Sequence, residues 1–264
     1  MNIETDVLIF QYEEEKGVIL MNEIIHKMEQ HVSVRKYKNE PIPRNIAERM
    51  VQVAQHAASS HFVQAYSVVY VTDESLKAQL AELSGNRHVK DCAAFFVCCA
   101  DLKRLEIACE KHGTEIKHDT TENFIVATVD VSLFAQNLAL AAESLGYGIC
   151  YIGGIRNNPE EVSDILHLPD KVYPVFGMTV GVPDESHAVK PRLPVEAILH
   201  ENAYDENKYD ELLAEYDQTT NEYYKGRSTN QKDVTWTGSM SAFMSKEKRL
   251  HMKEFLSKKG FNKK

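Results

Sequence analysis

Basic residues are in deficit in this chain: 30 Lys and Arg stand against 39 Asp and Glu, a formal charge of −9. A nucleic-acid-binding domain carries a basic footprint, so no nucleic-acid partner is expected. Long hydrophobic runs are missing too; no stretch of about 18 apolar residues occurs, so no membrane partner is expected either. The acidic Glu13-Glu14-Glu15 stands where a secretory signal would be basic and then apolar. Cysteine is sparse. Cys92, Cys98, Cys99, Cys109 and Cys150 are odd in number and scattered, which fits reduced thiols in the cytoplasm better than a disulfide framework. Several motifs are absent: GxSxG, the phosphate-binding GxxxxGK[ST] loop and the dinucleotide fingerprint GxGxxG. Cys109, His112 and His118 match no zinc spacing and read as a buried thiol beside surface imidazoles. The single Trp236 lies in a polar stretch and is given no chemistry.

What remains is an ordinary globular composition, 43% apolar and 26% charged over 264 residues, enough for one large domain or two small ones. Residues 1–20 hold five acids and one lysine and differ in character from the rest of the chain. Lys16-Gly17-Val18 can be encoded as a ribosome-binding sequence ahead of an ATG for Met21. Two readings stay open: a translated leader before a start at Met21, or a flexible extension. Residues 21–264 are taken as a single domain whose helical tail runs from about 182 to 264.

Ile46, Met50, Val53, Ala54 and Ala57 recur at helical spacing and predict an amphipathic helix over 44–57. Tyr66–Thr72 is β-branched and aromatic, a strand. Asp73 caps a helix to about Leu83. Phe95–Ala100 is apolar throughout, a buried central strand. A helix over 101–112 comes next, then a polar loop and a long helix over 123–145. This helix is apolar on more than one face, so it lies in a core or against a partner. Ile149–Ile152 is a strand running into Gly153-Gly154, Pro159 opens a helix to His167, and Tyr173–Gly181 is the last strand. Two tail helices, 206–225 and 245–259, flank a polar loop over 226–241. Strands mixed with long helices in this order make an α+β fold.

Four segments carry candidate chemistry. In His31-Val32-Ser33-Val34-Arg35-Lys36-Tyr37, extended backbone puts His31, Ser33 and Arg35 on one side. An imidazole, a hydroxyl and a guanidinium in a row suit a hydroxylated phosphate ligand, though a solvated edge has the same pattern. Ser59-Ser60-His61-Phe62-Val63-Gln64 closes a helix and precedes a strand, where hydroxyls cap a helix or approach a ligand. Tyr151-Ile152-Gly153-Gly154 ends a strand on backbone N–H groups that can face a ligand or simply turn. Lys190-Pro191-Arg192 alternates two cations about a proline that enforces extension, so both can meet one anion.

In this order and spacing, the four segments resemble the flavin reductase branch of the nitroreductase family, NADPH-dependent enzymes that use FMN. The resemblance covers about residues 22–260. It extends to Asp170-x2-Tyr173-Pro174-Val175-Phe176-Gly177-Met178, to Tyr216-Asp217-Gln218-Thr219 and to Tyr223-Tyr224-x2-Arg227. It implies a nitroreductase-like fold, a central and mainly antiparallel sheet flanked by helices. It also implies a homodimer in which the C-terminal extension wraps the partner and two FMN sites lie at the interface. By position, His31, Lys190 and Arg192 would bind the FMN phosphate, Ser33 the ribityl chain, and Arg35 the N1–C2 edge of the ring. Ser59 would touch the cofactor from the partner, with Ser60 and Gln64 nearby. Gly153 and Gly154, after Tyr151 and Ile152, would face the N5–O4 edge. Asn86 stands where the family usually has Gln and is taken as a contact; the role of His88, where the family often has Tyr, stays open. Arg227 and Arg249 match tail cations used for NADPH phosphates.

The resemblance implies a ping-pong oxidoreductase that takes hydride from NADPH and reduces a nitro compound, a quinone or free flavin. Flavin carries the hard chemistry, and no protein acid–base is named. The alternatives are a non-catalytic FMN carrier or sensor, against which the Arg227 segment speaks, and a relative with other flavin chemistry. The physiological acceptor and the degree of preference for NADPH over NADH stay open.

Overall fold

The structure, a computed structural model, describes residues 23–261 and residue 264. The proposed leader, residues 1–20, and the start at Met21 lie outside the described residues. The chain divides into two compact units. One is the chain up to His187 together with His251–Lys264, and the other is Ala188–Leu250.

In the first unit, a short helix α1 (Glu23–Glu29) is followed by an extended segment and then by α2 (Arg44–Ala54). The amphipathic stripe of α2 buries Ala47, Met50 and Ala54. The helix stops three residues earlier than its pattern predicts, and Ala57 falls in the next turn. Then come β1 (Tyr66–Val71), α3 (Glu74–Ser84), α4 (His88–Asp91), β2 (Ala94–Asp101) and α5 (Lys103–Lys111). Asp73 caps α3, its carboxylate accepting from Leu76 N–H at 2.8 Å. All eight residues of β2 are buried, as the continuous apolar run requires.

The long helix α6 (Thr121–Ser144) is next, then β3 (Gly148–Ile152), α7 (Pro159–Ile165) and β4 (Val172–Gly181). The four strands form one antiparallel sheet in the order β1-β2-β4-β3. One face packs on α2 and α6, where Tyr66 stacks on Phe134 with ring centroids 4.6 Å apart. The other face is closed by α3 and α7 through Leu80, Val97, Ile152 and Val162. Helix α10 (Met252–Lys258) returns to this unit and buries Phe255 and Leu256.

By length and composition α6 could cross a membrane, although Asp130 and hydroxyl residues interrupt its apolar run. Eight of its residues are buried within the chain. Ile125, Val129 and Leu133, four residues apart, form an exposed apolar stripe.

The second unit contains α8 (Tyr209–Lys225) and α9 (Trp236–Met244). Residues 226–241, expected as a polar loop, are partly helical. Thr235 caps α9 by accepting from Gly238 N–H at 3.2 Å, and Asp217 binds Thr237 through both its N–H and its hydroxyl. Trp236 opens this helix and packs on Tyr216, rather than lying in a loop. The tail helix expected over 245–259 forms only from Met252 to Lys258.

Candidate functional site

The segment 31–37 is extended, as its alternation predicts, and it adds itself to the outer edge of β3. Ser33 forms a parallel bridge with Ile149, and Val34 N–H donates to Ile149 carbonyl at 2.9 Å. Further on, Tyr37 bridges Pro183. Val34 is buried while Arg35 is exposed and His31 and Ser33 are half-buried, so the three polar side chains share the outer side. Since β3 ends at Gly153-Gly154, the hydroxyl, the guanidinium and the double glycine lie along one sheet edge.

Two carboxylates that sequence reasoning missed hold this segment. Glu143, near the end of α6, lies 2.6 Å from His31 Nδ1, which leaves Nε2 for another acceptor. Glu185 accepts from Arg35 N–H at 2.6 Å and from Lys36 N–H at 3.1 Å, and also meets His187 at 3.1 Å. Burial pushes the Glu185 carboxyl up, but these donors outweigh it and hold it below the usual carboxylate range. No local motif marks either acid, since they sit 112 and about 150 residues away in the chain.

The cluster around the segment is desolvated. Burial raises the Cys150 thiol, against the opposing charge of Arg35 and hydrogen bonds to Ser33 and Arg35. Burial and then the charge of Arg35 lower His88, which keeps its imidazole neutral. His88 Nε2 is buried without a hydrogen-bond partner among the described residues. All five cysteines are free thiols, and Cys109 is half-exposed rather than buried. Among the described residues no His, Cys, Asp or Glu cluster could hold a metal.

Gly153 and Gly154 open a 3-10 turn, Gly153–Asn157, rather than a loop. As its first residues, their N–H groups have no acceptor inside the turn. Gly154 has a steric role as well: a Cβ there would run into Asn86 Nδ2 and the Ser84 carbonyl oxygen. At Gly153 the nearest atom to a Cβ is in the guanidinium of Arg156, at 3.2 Å, which itself donates to the Val175 carbonyl. Asn86 donates to Ser84 carbonyl at 2.7 Å, and Asn157 and Asn158 donate to the carbonyls of Ser84 and Leu83. The last turn of α3 is thus sealed onto the glycine turn. Tyr151 sets its ring edge-on to Phe176.

The Ser59–Gln64 loop carries three non-glycine residues in left-handed conformation, His61, Phe62 and Gln64. Such backbone persists only when the surroundings enforce it. The enforcement comes from Asp130, 1% exposed, which accepts from Ser60 N–H at 2.9 Å and from Ala65 N–H at 3.0 Å. Arg104 adds bonds to the carbonyls of Gln64 and Tyr66. Ser59 Oγ accepts from Gln64 N–H at 3.4 Å. Asp130 did have a sequence signal, a lone acid inside the apolar run Val126–Phe134.

Lys190, Arg192, Arg227 and Arg249 belong to the second unit. Arg192 donates to Lys190 carbonyl at 2.6 Å, and Tyr216 hydroxyl donates to Pro191 carbonyl at 2.9 Å. Among the described residues no carboxylate lies within 4.0 Å of Lys190, Arg192 or Arg227. In a chain of charge −9 these are uncompensated cations. Arg249 has a left-handed backbone at φ 52° and lies several residues past the end of α9.

The first unit thus presents a donor-bearing sheet edge that runs to a glycine turn, and the second presents cations without a carboxylate partner among the described residues. Comparison with known proteins assigns the family. Residues 28–182 match the model of the nitroreductase family, and residues 190–264 match that of the nitroreductase family C-terminal domain. The chain belongs to the nitroreductase family and is an oxidoreductase. It is 53% identical to the Cr(VI) reductase of Pseudomonas sp. (strain G-1), over 88% of this chain and 96% of that one. It is 40% identical to the FMN reductase (NADPH) of Bacillus subtilis (strain 168), over 92% and 100%. The structure of NfrA1 from B. megaterium superposes with a TM-score of 0.89 at 42% identity, covering 92% of this chain and all of the other.

Proposed function

We propose that this chain is an FMN-dependent oxidoreductase that draws on NADPH and reduces an acceptor by a ping-pong mechanism. When bound, FMN supplies the hydride chemistry between NADPH and acceptor. The observation that carries this reading is the pairing of Ser33 with Ile149, which lines up Ser33, Arg35 and the Gly153-Gly154 turn on one sheet edge. Donor chemistry fits the group. Ser33 offers a hydroxyl to the ribityl chain. Arg35 offers fixed positive charge to a ring edge that becomes anionic on reduction. The first N–H groups of the glycine turn offer donors without competing for hydride, and buried His88 Nε2 is an unpaired polar atom of the same cluster.

On the resemblance, phosphate recognition falls to His31, Lys190 and Arg192, and NADPH recognition to Arg227 and Arg249. Ser59, Ser60 and Gln64 face the cofactor of a second copy, and Tyr151, Ile152 and Asn86 line the ring site. The assembly is a homodimer, for which the stripe Ile125, Val129 and Leu133 supplies an apolar face. The acceptors are small molecules, namely nitro compounds, quinones or free flavin. The relative named for Cr(VI) reduction adds chromate to that set. Five free thiols fit the cytoplasm.

The test is steady-state oxidation of NADPH and of NADH by the FMN-loaded protein, with FMN, a quinone, nitrofurazone and chromate as acceptors. The expected result is a yellow protein that oxidises NADPH faster with at least one acceptor than without. A protein that stays colourless after FMN addition and leaves NADPH unoxidised overturns the reading.

A further inference from the structure

Within the second unit, two cations share one aromatic ring. Lys190 Nζ lies 5.8 Å from the centroid of the Tyr224 ring, and the Arg227 guanidinium carbon lies 5.9 Å from it. Both are within cation–π range. Arg227 comes three residues after Tyr224, just past the end of α8, so its reach to the ring is a one-turn contact. Lys190 comes from a segment more than thirty residues earlier and is delivered by hydroxyl bonds from α8. Tyr216 donates to Pro191 carbonyl, and Tyr223 donates to Ala188 carbonyl at 3.4 Å.

The choice of a ring over a carboxylate has a chemical consequence. Lys225, one residue from Tyr224, pairs with Asp233 at 3.1 Å and is neutralised. An aromatic face holds a cation in place and leaves its charge and its N–H donors available to an anion. We propose that Tyr224 is a positioning residue that orients Lys190 toward the phosphate of FMN and Arg227 toward the 2′-phosphate of NADPH. One side chain then sets affinity for cofactor and co-substrate together. This rests on the function proposed above.

The experiment compares Tyr224→Leu, Tyr224→Phe and Tyr224→Trp with the parent. Binding of FMN and of riboflavin to the flavin-free protein is read by fluorescence quenching, and KM for NADPH and NADH is measured with FMN saturating. In Tyr224→Leu the Kd for FMN and the KM for NADPH each rise about three- to fivefold, the effect of losing one exposed cation–π contact. Riboflavin affinity, KM for NADH and kcat stay within about twofold, because riboflavin lacks the FMN phosphate and NADH lacks the 2′-phosphate that the two cations would meet. Tyr224→Phe keeps the ring and matches the parent, and Tyr224→Trp matches it or binds FMN more tightly.

Unchanged FMN and NADPH constants in Tyr224→Leu overturn the inference. Equal weakening of riboflavin and NADH overturns it as well, since that is the mark of a general structural defect. So does a Phe or Trp variant that behaves like Leu. A parent protein that binds FMN while the Leu variant is unaffected sinks only this inference; a parent that binds no flavin sinks the proposed function and the inference with it.

Discussion

The segments His31–Tyr37 and Lys190–Arg192 both lie outside the helices and both offer alternating polar groups, yet the fold treats them differently. In the first, acids do the holding: Glu143 pairs with His31, and Glu185 caps the backbone of Arg35 and Lys36. In the second, tyrosines do the holding, through hydroxyls on carbonyls and a ring under Lys190. The difference is electrostatic. A carboxylate fixes geometry and cancels charge, whereas a ring or a hydroxyl fixes geometry and leaves the charge in place. The first segment therefore orients its donors through neighbouring acids, whereas the second keeps its cations without a carboxylate partner among the described residues.

If that contrast holds, Lys190→Ala with Arg192→Ala has the largest effect. Two charge-assisted phosphate bonds are worth about 3 kcal/mol or more together, roughly a hundredfold or more in Kd. FMN affinity should fall by that factor, and riboflavin affinity should hardly move. The fall should also shrink as salt is raised, because exposed charges are screened. Flavin titration at low and high ionic strength checks this. If the double variant keeps FMN as tightly as the parent, the second segment is no phosphate clamp.

The glycine turn at the end of β3 sharpens the first half of the comparison. Gly154→Ala forces a Cβ into a backbone carbonyl and Asn86, which cannot both retreat. A cost of about 1–3 kcal/mol is expected, typical of overpacking. Gly153→Ala meets the Arg156 guanidinium at 3.2 Å, a looser approach than at Gly154, and should cost less than Gly154→Ala, about 1 kcal/mol or under. Urea midpoints of the two variants decide it, and equal losses would show that the turn tolerates both side chains alike.

Glu143→Gln comes next. The amide still accepts from His31 Nδ1 but no longer brings a negative charge to it. The loss of one charged hydrogen bond is about 1 kcal/mol, so FMN affinity should drop about fivefold with little change for riboflavin. An equal drop for both ligands would mean that Glu143 only packs α6 against the segment.

Most of the frame was legible because it arises from local rules. The β2 run, the Asp73 cap and the helix start at Pro159 each act within a few residues, and the structure places them as read. Helix α9 was hidden because its signals, the Thr235 cap and the Asp217 bond to Thr237, sit in a stretch of polar and glycine residues that looks like loop. At the candidate site, the donors His31, Ser33 and Arg35 could be read from period-two alternation. Their holders could not, because Glu143 and Glu185 act across the fold, and nothing in an acidic residue's own neighbourhood says what it will face. Asp130 lies between these cases: an acid inside an apolar helix is visible, but its two N–H partners, 65 and 70 residues away, are not.

Glu185→Gln gives the smallest effect and the finest test of the comparison, because it changes charge while leaving an acceptor on the same two N–H groups. The side chain is 14% exposed, and its folded carboxyl lies below the usual value of about 4.3. A depressed carboxylate contributes stability that is full above that usual value and drains away as pH falls through the depressed one. At pH 7 the variant should therefore melt a few degrees lower, in keeping with a loss of about 1 kcal/mol. The gap should close as pH falls through the depressed value of the folded carboxyl, below which parent and variant both carry a neutral group. FMN affinity at pH 7 should fall only about two- to threefold, since Arg35 keeps its side chain and loses some order in its backbone, an effect well under about 1 kcal/mol. A melting gap that persists once the folded carboxyl is protonated would show that shape, not charge, fixes the first segment, and the electrostatic contrast with the second would fail.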